Sequence, residues 1–163
     1  MAQEIERKFL LAGDWQSAAV SASRITQGYI CSDRGRTVRV RIRDNHGYLT
    51  IKGPSADNGL SRYEWEKEIP ADEARELMEL CVGGVIDKTR YIVPYGGHTF
   101  EVDEFQGDNR GLVVAEVELS ATDEAFERPP FLGREVTGQV RYYNSQLMQR
   151  PYSTWSEEEK AGM

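Results

Sequence analysis

The sequence predicts an α+β protein that is mainly β: an eight-stranded antiparallel β-barrel with a few flanking helices. Three observations predict it. Eight stretches have strand character, at roughly 3–11, 24–32, 36–43, 48–53, 61–69, 85–93, 98–105 and 112–120. Glycine-bearing turns join two consecutive pairs of them at short range. In most of them charged and apolar residues alternate, which confines charge to one face of each strand.

Taken in order, the first stretch contains Glu4-Ile5-Glu6-Arg7-Lys8-Phe9 and sets Glu4, Glu6 and Lys8 on one face. A short helix is expected over 14–20, ahead of the second strand. The third strand, Thr37-Val38-Arg39-Val40-Arg41-Ile42-Arg43, alternates strictly: Arg39, Arg41 and Arg43 face one way, Val38, Val40 and Ile42 the other. Asn45-His46-Gly47 is read as the hairpin turn into the fourth, where Lys52 follows Ile51. In the fifth, Glu64 and Glu66 flank Trp65, a buried-type tryptophan. Pro70 suits the first turn of a helix over 71–81, in which Ala74, Leu77, Met78 and Cys81 share a face. Lys88 and Arg90 share one parity in the sixth strand, and Gly96-Gly97 turns the chain into the seventh, where Asp103 alternates with Val102. Glu116 and Glu118 alternate with Ala115, Val117 and Leu119 in the eighth. Weaker helical periodicity covers 122–127, with Ser120 as a cap, and 138–149, which should end before Pro151. Residues 1–152 are thus read as one domain, and 153–163, with Glu157-Glu158-Glu159, as a flexible acidic tail.

The 163 residues suffice for one core without disulfides, and 39% apolar with 29% charged residues is a globular composition. No apolar run approaches the ~20 residues of a membrane-spanning helix, and the start lacks a signal peptide's basic and apolar regions, so the expectation is a cytoplasmic protein with no membrane partner. Cys31 and Cys81 have no CxxC spacing and no histidine nearby, and are read as buried reduced thiols. A net charge of -7 excludes general nucleic-acid binding. Oligomeric state is left open, a homodimer included.

In a single strand such alternation describes a solvated sheet face. Here it recurs across six or more strands, with acids in i, i+2 pairs and bases mostly on other strands. Carboxylates two apart on one face lie ~7 Å from each other and repel, which a hard divalent cation between them relieves. Eight antiparallel strands can close around one small ligand. With the charged faces inward, the helices cover the apolar faces from outside. The inward candidates are then the cations Lys8, Arg39, Arg41, Arg43, Lys52, Arg62, Lys88 and Arg90 and the anions Glu4, Glu6, Glu64, Glu66, Asp103, Glu116 and Glu118. Such a lumen is nearly neutral when empty and positive once Mg²⁺ enters, so metal and a compact polyanion such as a triphosphate should bind together.

These residues resemble the CYTH superfamily, the triphosphate tunnel metalloenzymes, whose ExExK signature stands here as Glu4-Ile5-Glu6-Arg7-Lys8. Arg39-Val40-Arg41, Thr50-Ile51-Lys52-Gly53, Arg62-Tyr63-Glu64-Trp65-Glu66, Asp87-Lys88-Thr89-Arg90, Glu101-Val102-Asp103 and Glu116-Val117-Glu118 follow in the family's order. Leu132-Gly133-Arg134-Glu135-Val136-Thr137 resembles the short bacterial members. The likeness spans residues 2 to about 150.

The resemblance implies a tunnel enzyme that uses Mg²⁺ or Mn²⁺, two ions by expectation, on a small triphosphate-bearing anion. By position it makes Glu4, Glu6, Glu116 and Glu118 metal ligands. Lys8, Arg39, Arg41, Lys52 and Arg90 become phosphate ligands; Arg62 is also assigned to the substrate and, like Arg43, falls at the tunnel mouth. Glu64 is placed in support, and Asp103 either supports the metal site or pairs with an arginine. Lys88 is the candidate to orient the attacking water, and Glu66 the alternative proton acceptor. The chain has little beyond the barrel, so the expected reaction is cleavage of inorganic tripolyphosphate to pyrophosphate and phosphate. An adenylate cyclase or a nucleoside or thiamine triphosphatase of the same family, and a non-catalytic polyphosphate or nucleotide sensor, are the rival readings. His46 and His98, beside turns, are read as solvent-exposed bystanders.

Overall fold

Alternation of inward and outward side chains carries the chain through nine strands: β1 (Gln3–Leu11), β2 (Ser21–Asp33), β3 (Arg36–Arg43), β4 (His46–Ala56), β5 (Ser61–Ile69), β6 (Val82–Tyr95), β7 (His98–Phe105), β8 (Val113–Glu118) and β9 (Leu132–Glu135). The structure is a computed structural model and describes residues 3–163. The strands pair antiparallel in the order β5-β4-β3-β2-β6-β7-β8-β1, and β5 returns to β1 through Glu4 opposite Arg62, which closes an eight-stranded barrel. The ninth strand, absent from the sequence reading, adds to the far end of β1. It is four residues long with Gly133 inside it, too short to show a period, and exists because β1 has a free edge there.

The predicted strands are present, with β2 and β6 extended at both ends because they pair with each other from Ser21 opposite Ile92 to Tyr29 opposite Val82. The β3–β4 turn is shifted. Arg43 lies opposite His46, so Asp44 and Asn45 form the turn, and Gly47 serves another purpose. A Cβ there would stand 2.6 Å from the Ala74 methyl, so the glycine lets helix α1 (Ala71–Met78) lie on the barrel. No helix among the described residues is long and apolar enough to cross a membrane.

Two apolar clusters organise the molecule. The first, built on Phe9, Val93, Phe100, Val102, Ala115 and Val117, is the outer face of β1, β6, β7 and β8. Irregular chain covers it, not the helices expected over 14–20 and 122–127. The first of these is only a 3-10 turn at Gln16–Ala18, presenting the buried Trp15, and the second is non-helical. Phe126 reaches edge-on to Phe9 and Phe100, packing that outweighs weak local helix propensity. The second cluster contains Phe105 and Val114, which share strand parity with Asp103 and Glu116 and so face inward. The lumen is therefore apolar at one end.

Val136, Tyr142, Leu147 and Trp155 seal that end. Tyr142 and Leu147 belong to the segment expected as one helix over 138–149, which is a 3-10 turn at Val140–Tyr142, an extended Tyr143, and helix α2 (Asn144–Gln149). Residues 153–163, expected as a flexible acidic tail, are mostly exposed but anchored at Trp155 and Gly162. Trp155 is buried, and helix α3 (Glu157–Lys160) is closed by a capping box between Ser156 and Glu159.

Several surface readings change. Trp65 is 40% exposed beside Ile51, because no element among the described residues covers that stretch of the β4–β5 outer face. Cys31 is exposed at a β-bulge and Cys81 half-buried; both are free. His46 is exposed as expected, whereas His98 is half-buried with Nε2 2.6 Å from Glu124.

A charge-lined cavity as the candidate active site

The charged half of the lumen is a cavity of about 220 Å³. On its acidic side, Glu6 lies opposite Glu118 and Lys8 opposite Glu116 across β1 and β8, while Glu101 on β7 lies opposite Glu116. Lys8 Nζ is 3.8 Å from Glu116, and Lys52 Nζ sits 2.9 Å from Glu4 and 3.6 Å from Glu64. Two lysines thus offset part of the repulsion among these acids.

The repulsion is only partly relieved. Burial, followed by the charges of Glu116 and Glu4, drives the Glu6 carboxyl well above its ordinary range, and Glu6 hydrogen-bonds Glu116. Glu116, though buried, is held down to about 2 by Lys8 and by that hydrogen bond. Burial and its hydrogen bond with Glu4 push Glu64 up to about 7, whereas for Glu4 burial is outweighed by Lys52 and the hydrogen bond to Glu64 together, and its carboxyl is kept low.

On the cationic side, Arg39 Nη2 donates to Thr50 Oγ1 at 3.1 Å and lies 3.5 Å from Glu66, to which Thr50 donates at 2.7 Å. Arg41 Nε donates to Gln27 Oε1 at 2.8 Å. Burial first, then Arg39 and Arg90, lowers the Arg41 guanidinium against the smaller opposing charge of Asp103, as expected where cations crowd. Arg39 Nε and Gln27 Nε2 are buried without a hydrogen-bond partner among the described residues. Both are donors, and an anion with several oxygens satisfies donors.

Lys88 and Asp103 stand behind the lining. Asp103 receives two bonds from Arg90, 2.8 and 2.9 Å, and one from Lys88, 2.6 Å. Lys88 is 1% exposed and lies against the Phe105 ring, at the border with the apolar end. Burial, with Arg90 and Arg41, lowers its ammonium to about 7 against the opposing charge of Asp103. Glu66, by contrast, reaches the cavity.

Glu4, Glu6, Lys8, Arg39, Arg41, Lys52, Glu64, Arg90, Glu116 and Glu118 all reach the cavity. Arg62 and Arg43 reach it with guanidiniums already engaged, Arg62 by the carbonyls of Gly53 and Gly35 and Arg43 by the Tyr48 hydroxyl. Sequence reasoning missed Glu101, Tyr29 and Tyr143 in the lining. Glu101 shares parity with Asp103, which would have found it. Tyr29 is neutral on an inward-facing strand, invisible to a pattern of charge, and Tyr143 arrives from outside the strands.

Among the described residues, no three histidine, cysteine, aspartate or glutamate side chains converge as a preformed metal centre. The donor set nevertheless fits a hard divalent cation. Glu4, Glu6, Glu116 and Glu118 face one lumen, and the mutual repulsion that raises the Glu6 carboxyl is what a bound cation would relieve.

The CYTH domain model matches residues 2–152. The inorganic triphosphatase of Acetivibrio thermocellus is 48% identical over 158 residues, covering 96% of this chain and 100% of that protein. That of Nitrosomonas europaea is 36% identical over 149 residues, covering 88% and 95%. The crystal structure of an inorganic triphosphatase superposes with a TM-score of 0.65 at 33% identity over 91% of this chain and 95% of that one. A putative adenylyl cyclase from Hippeastrum, with a TM-score of 0.60 at 15% identity over 72% and 80%, shares the fold.

Proposed function

Because this chain belongs to the CYTH domain family, we propose that it hydrolyses inorganic tripolyphosphate to pyrophosphate and phosphate in the barrel cavity, with Mg²⁺ or Mn²⁺ as cofactor. Two relatives called inorganic triphosphatases support the reaction. The observation that carries the substrate class is the cavity itself: about 220 Å³, lined on one side by Arg39, Arg41 and Arg90 and holding little room for an organic group.

Lys8, Arg39, Arg41, Lys52 and Arg90 bind the phosphate chain, the guanidiniums offering paired donors to phosphate oxygens. Glu4, Glu6, Glu116 and Glu118 would hold the divalent cation, with Glu64 in support, while Asp103 holds Arg90 and Lys88 in place. When bound, the metal supplies charge neutralisation and a more acidic water. The water oxygen bonds to a terminal phosphorus, the bond from that phosphorus to its bridging oxygen breaks, and pyrophosphate leaves with the electron pair. The water proton passes to a protein acceptor. Glu66 is in reach of the cavity for that role, and Lys88, held by Asp103 behind it, orients the water once the site fills.

Phosphate release from tripolyphosphate, ATP and pyrophosphate, each with Mg²⁺, Mn²⁺ or chelator, tests the reading, with cyclic AMP followed in the ATP samples. Metal-dependent release from tripolyphosphate far above the others is expected. Cyclic AMP as the main product, or tight binding without turnover, overturns it.

A further inference from the structure

One side of the cavity is formed by chain that is not barrel at all. Between the 3-10 turn and α2, Tyr143 adopts an extended backbone, φ -68° and ψ 136°, and its side chain enters the cavity lining. The neighbours on either side fix it. Tyr142 and Leu147 are 2% and 1% exposed in the apolar end of the lumen, so the segment bearing Tyr143 is anchored there.

The ring is occupied on the cavity side. Lys8 Nζ lies 5.3 Å and the Arg62 guanidinium carbon 5.8 Å from its centroid, and its hydroxyl is 3.2 Å from Ser55 Oγ. The β4–β5 connection just beyond Ser55 also meets the Tyr143 segment directly: a Cβ on Gly138 would overlap the Asn58 carbonyl, and one on Gly59 would fall 3.2 Å from the Tyr143 hydroxyl. Backbone-to-backbone contact at these glycines draws the β4–β5 loop and the C-terminal segment together over the cavity.

We propose that Tyr143 determines specificity by closing the cavity beside the phosphate-binding Lys8, so that an inorganic phosphate chain fits and a triphosphate esterified to a nucleoside does not. The inference rests on the tripolyphosphate reading and names the residue that would enforce it. A stacking platform for a base is the opposite role for an aromatic ring at such a place. The geometry argues against it, because a base could reach the cavity side of this ring only by displacing Lys8, which the phosphates need, and Arg62.

The test compares Tyr143→Ala, Tyr143→Leu and Tyr143→Phe with wild type, measuring kcat/KM for ATP and for tripolyphosphate in one Mg²⁺ buffer. Removing the ring is expected to raise the ratio of ATP to tripolyphosphate by about tenfold, the scale on which a lost steric barrier acts. Leucine should fall between, and phenylalanine should stay near wild type. Loss of packing alone lowers both activities together and leaves the ratio unmoved, which overturns the proposal. A ratio that falls on removing the ring identifies a stacking platform and overturns it too. Dissociation constants for tripolyphosphate and a non-hydrolysable ATP analogue give the same ratio without turnover. Wild-type protein that does not cleave tripolyphosphate therefore refutes the reaction alone, while an unchanged affinity ratio refutes the role of Tyr143 alone.

Discussion

At the scale of residues, the site is a set of charges held in tension by their neighbours. Lys88 is the sharpest case, an ammonium lowered to about 7 by burial and by two guanidiniums while bonded to Asp103. If it orients water, Lys88→Ala should lower kcat by at least about tenfold with KM little changed, since interactions made only in the transition state act on kcat. Steady-state kinetics on tripolyphosphate decides this, and a rise in KM alone would reduce Lys88 to a phosphate ligand. Glu64 makes a second prediction, in stability. Its carboxyl is raised from 4.5 to about 7, so between those values the folded chain binds a proton that the unfolded chain has released. Stability from this group is complete below about pH 4.5 and is lost as pH rises through about 7. In chelator, urea midpoints at about pH 5 and pH 8 should therefore show wild type losing on the order of 1 kcal/mol more than Glu64→Gln, after allowance for solvent screening of a partly exposed group.

At the scale of elements, strands read from alternation are in place, whereas segments read from weak helical periodicity are not. The 36–43 alternation was decisive because its two faces meet different surroundings, α1 outside and the cavity inside. Over 122–127 there was no such division, and Phe126 took an irregular path to reach Phe9 and Phe100. The C-terminal segment is the clearest gap. Its charge reads as solvated, yet Trp155 lies edge-on to Tyr142 and Tyr152 at 5.2 Å and donates from Nε1 to the Arg150 carbonyl at 3.0 Å. Trp155→Ala should cost about 3–5 kcal/mol, the range for a large aromatic removed from a core. A denaturant midpoint close to wild type would mean that the segment is dispensable.

At the scale of the whole molecule, a closed barrel brings into one cavity residues that are remote in sequence: Glu4 and Lys52 meet at 2.9 Å, and Lys8 faces Glu116. Lys8 and Lys52 partly neutralise the carboxylates, so chelation should leave the fold intact. Saturating Mg²⁺ should tighten tripolyphosphate binding by about fivefold or more, the scale of a typical coupling between sites, and calorimetry corrected for metal–tripolyphosphate association in solution measures it. Equal affinities with metal and with chelator would show that the acids do not hold a cation linked to the substrate. The sequence by itself determined the eight barrel strands, the face on which each charge lies and, through ordered motifs, the family, because a period of two and a charge pattern are properties of contiguous residues. Only the tertiary structure decided how far the charge extends into the lumen, that Lys88 and Asp103 stand behind the lining, and that Tyr143 and Trp155 close the barrel from outside its strands. Those facts depend on which distant surfaces bury one another, and burial is a property of the closed molecule that no local window of sequence contains.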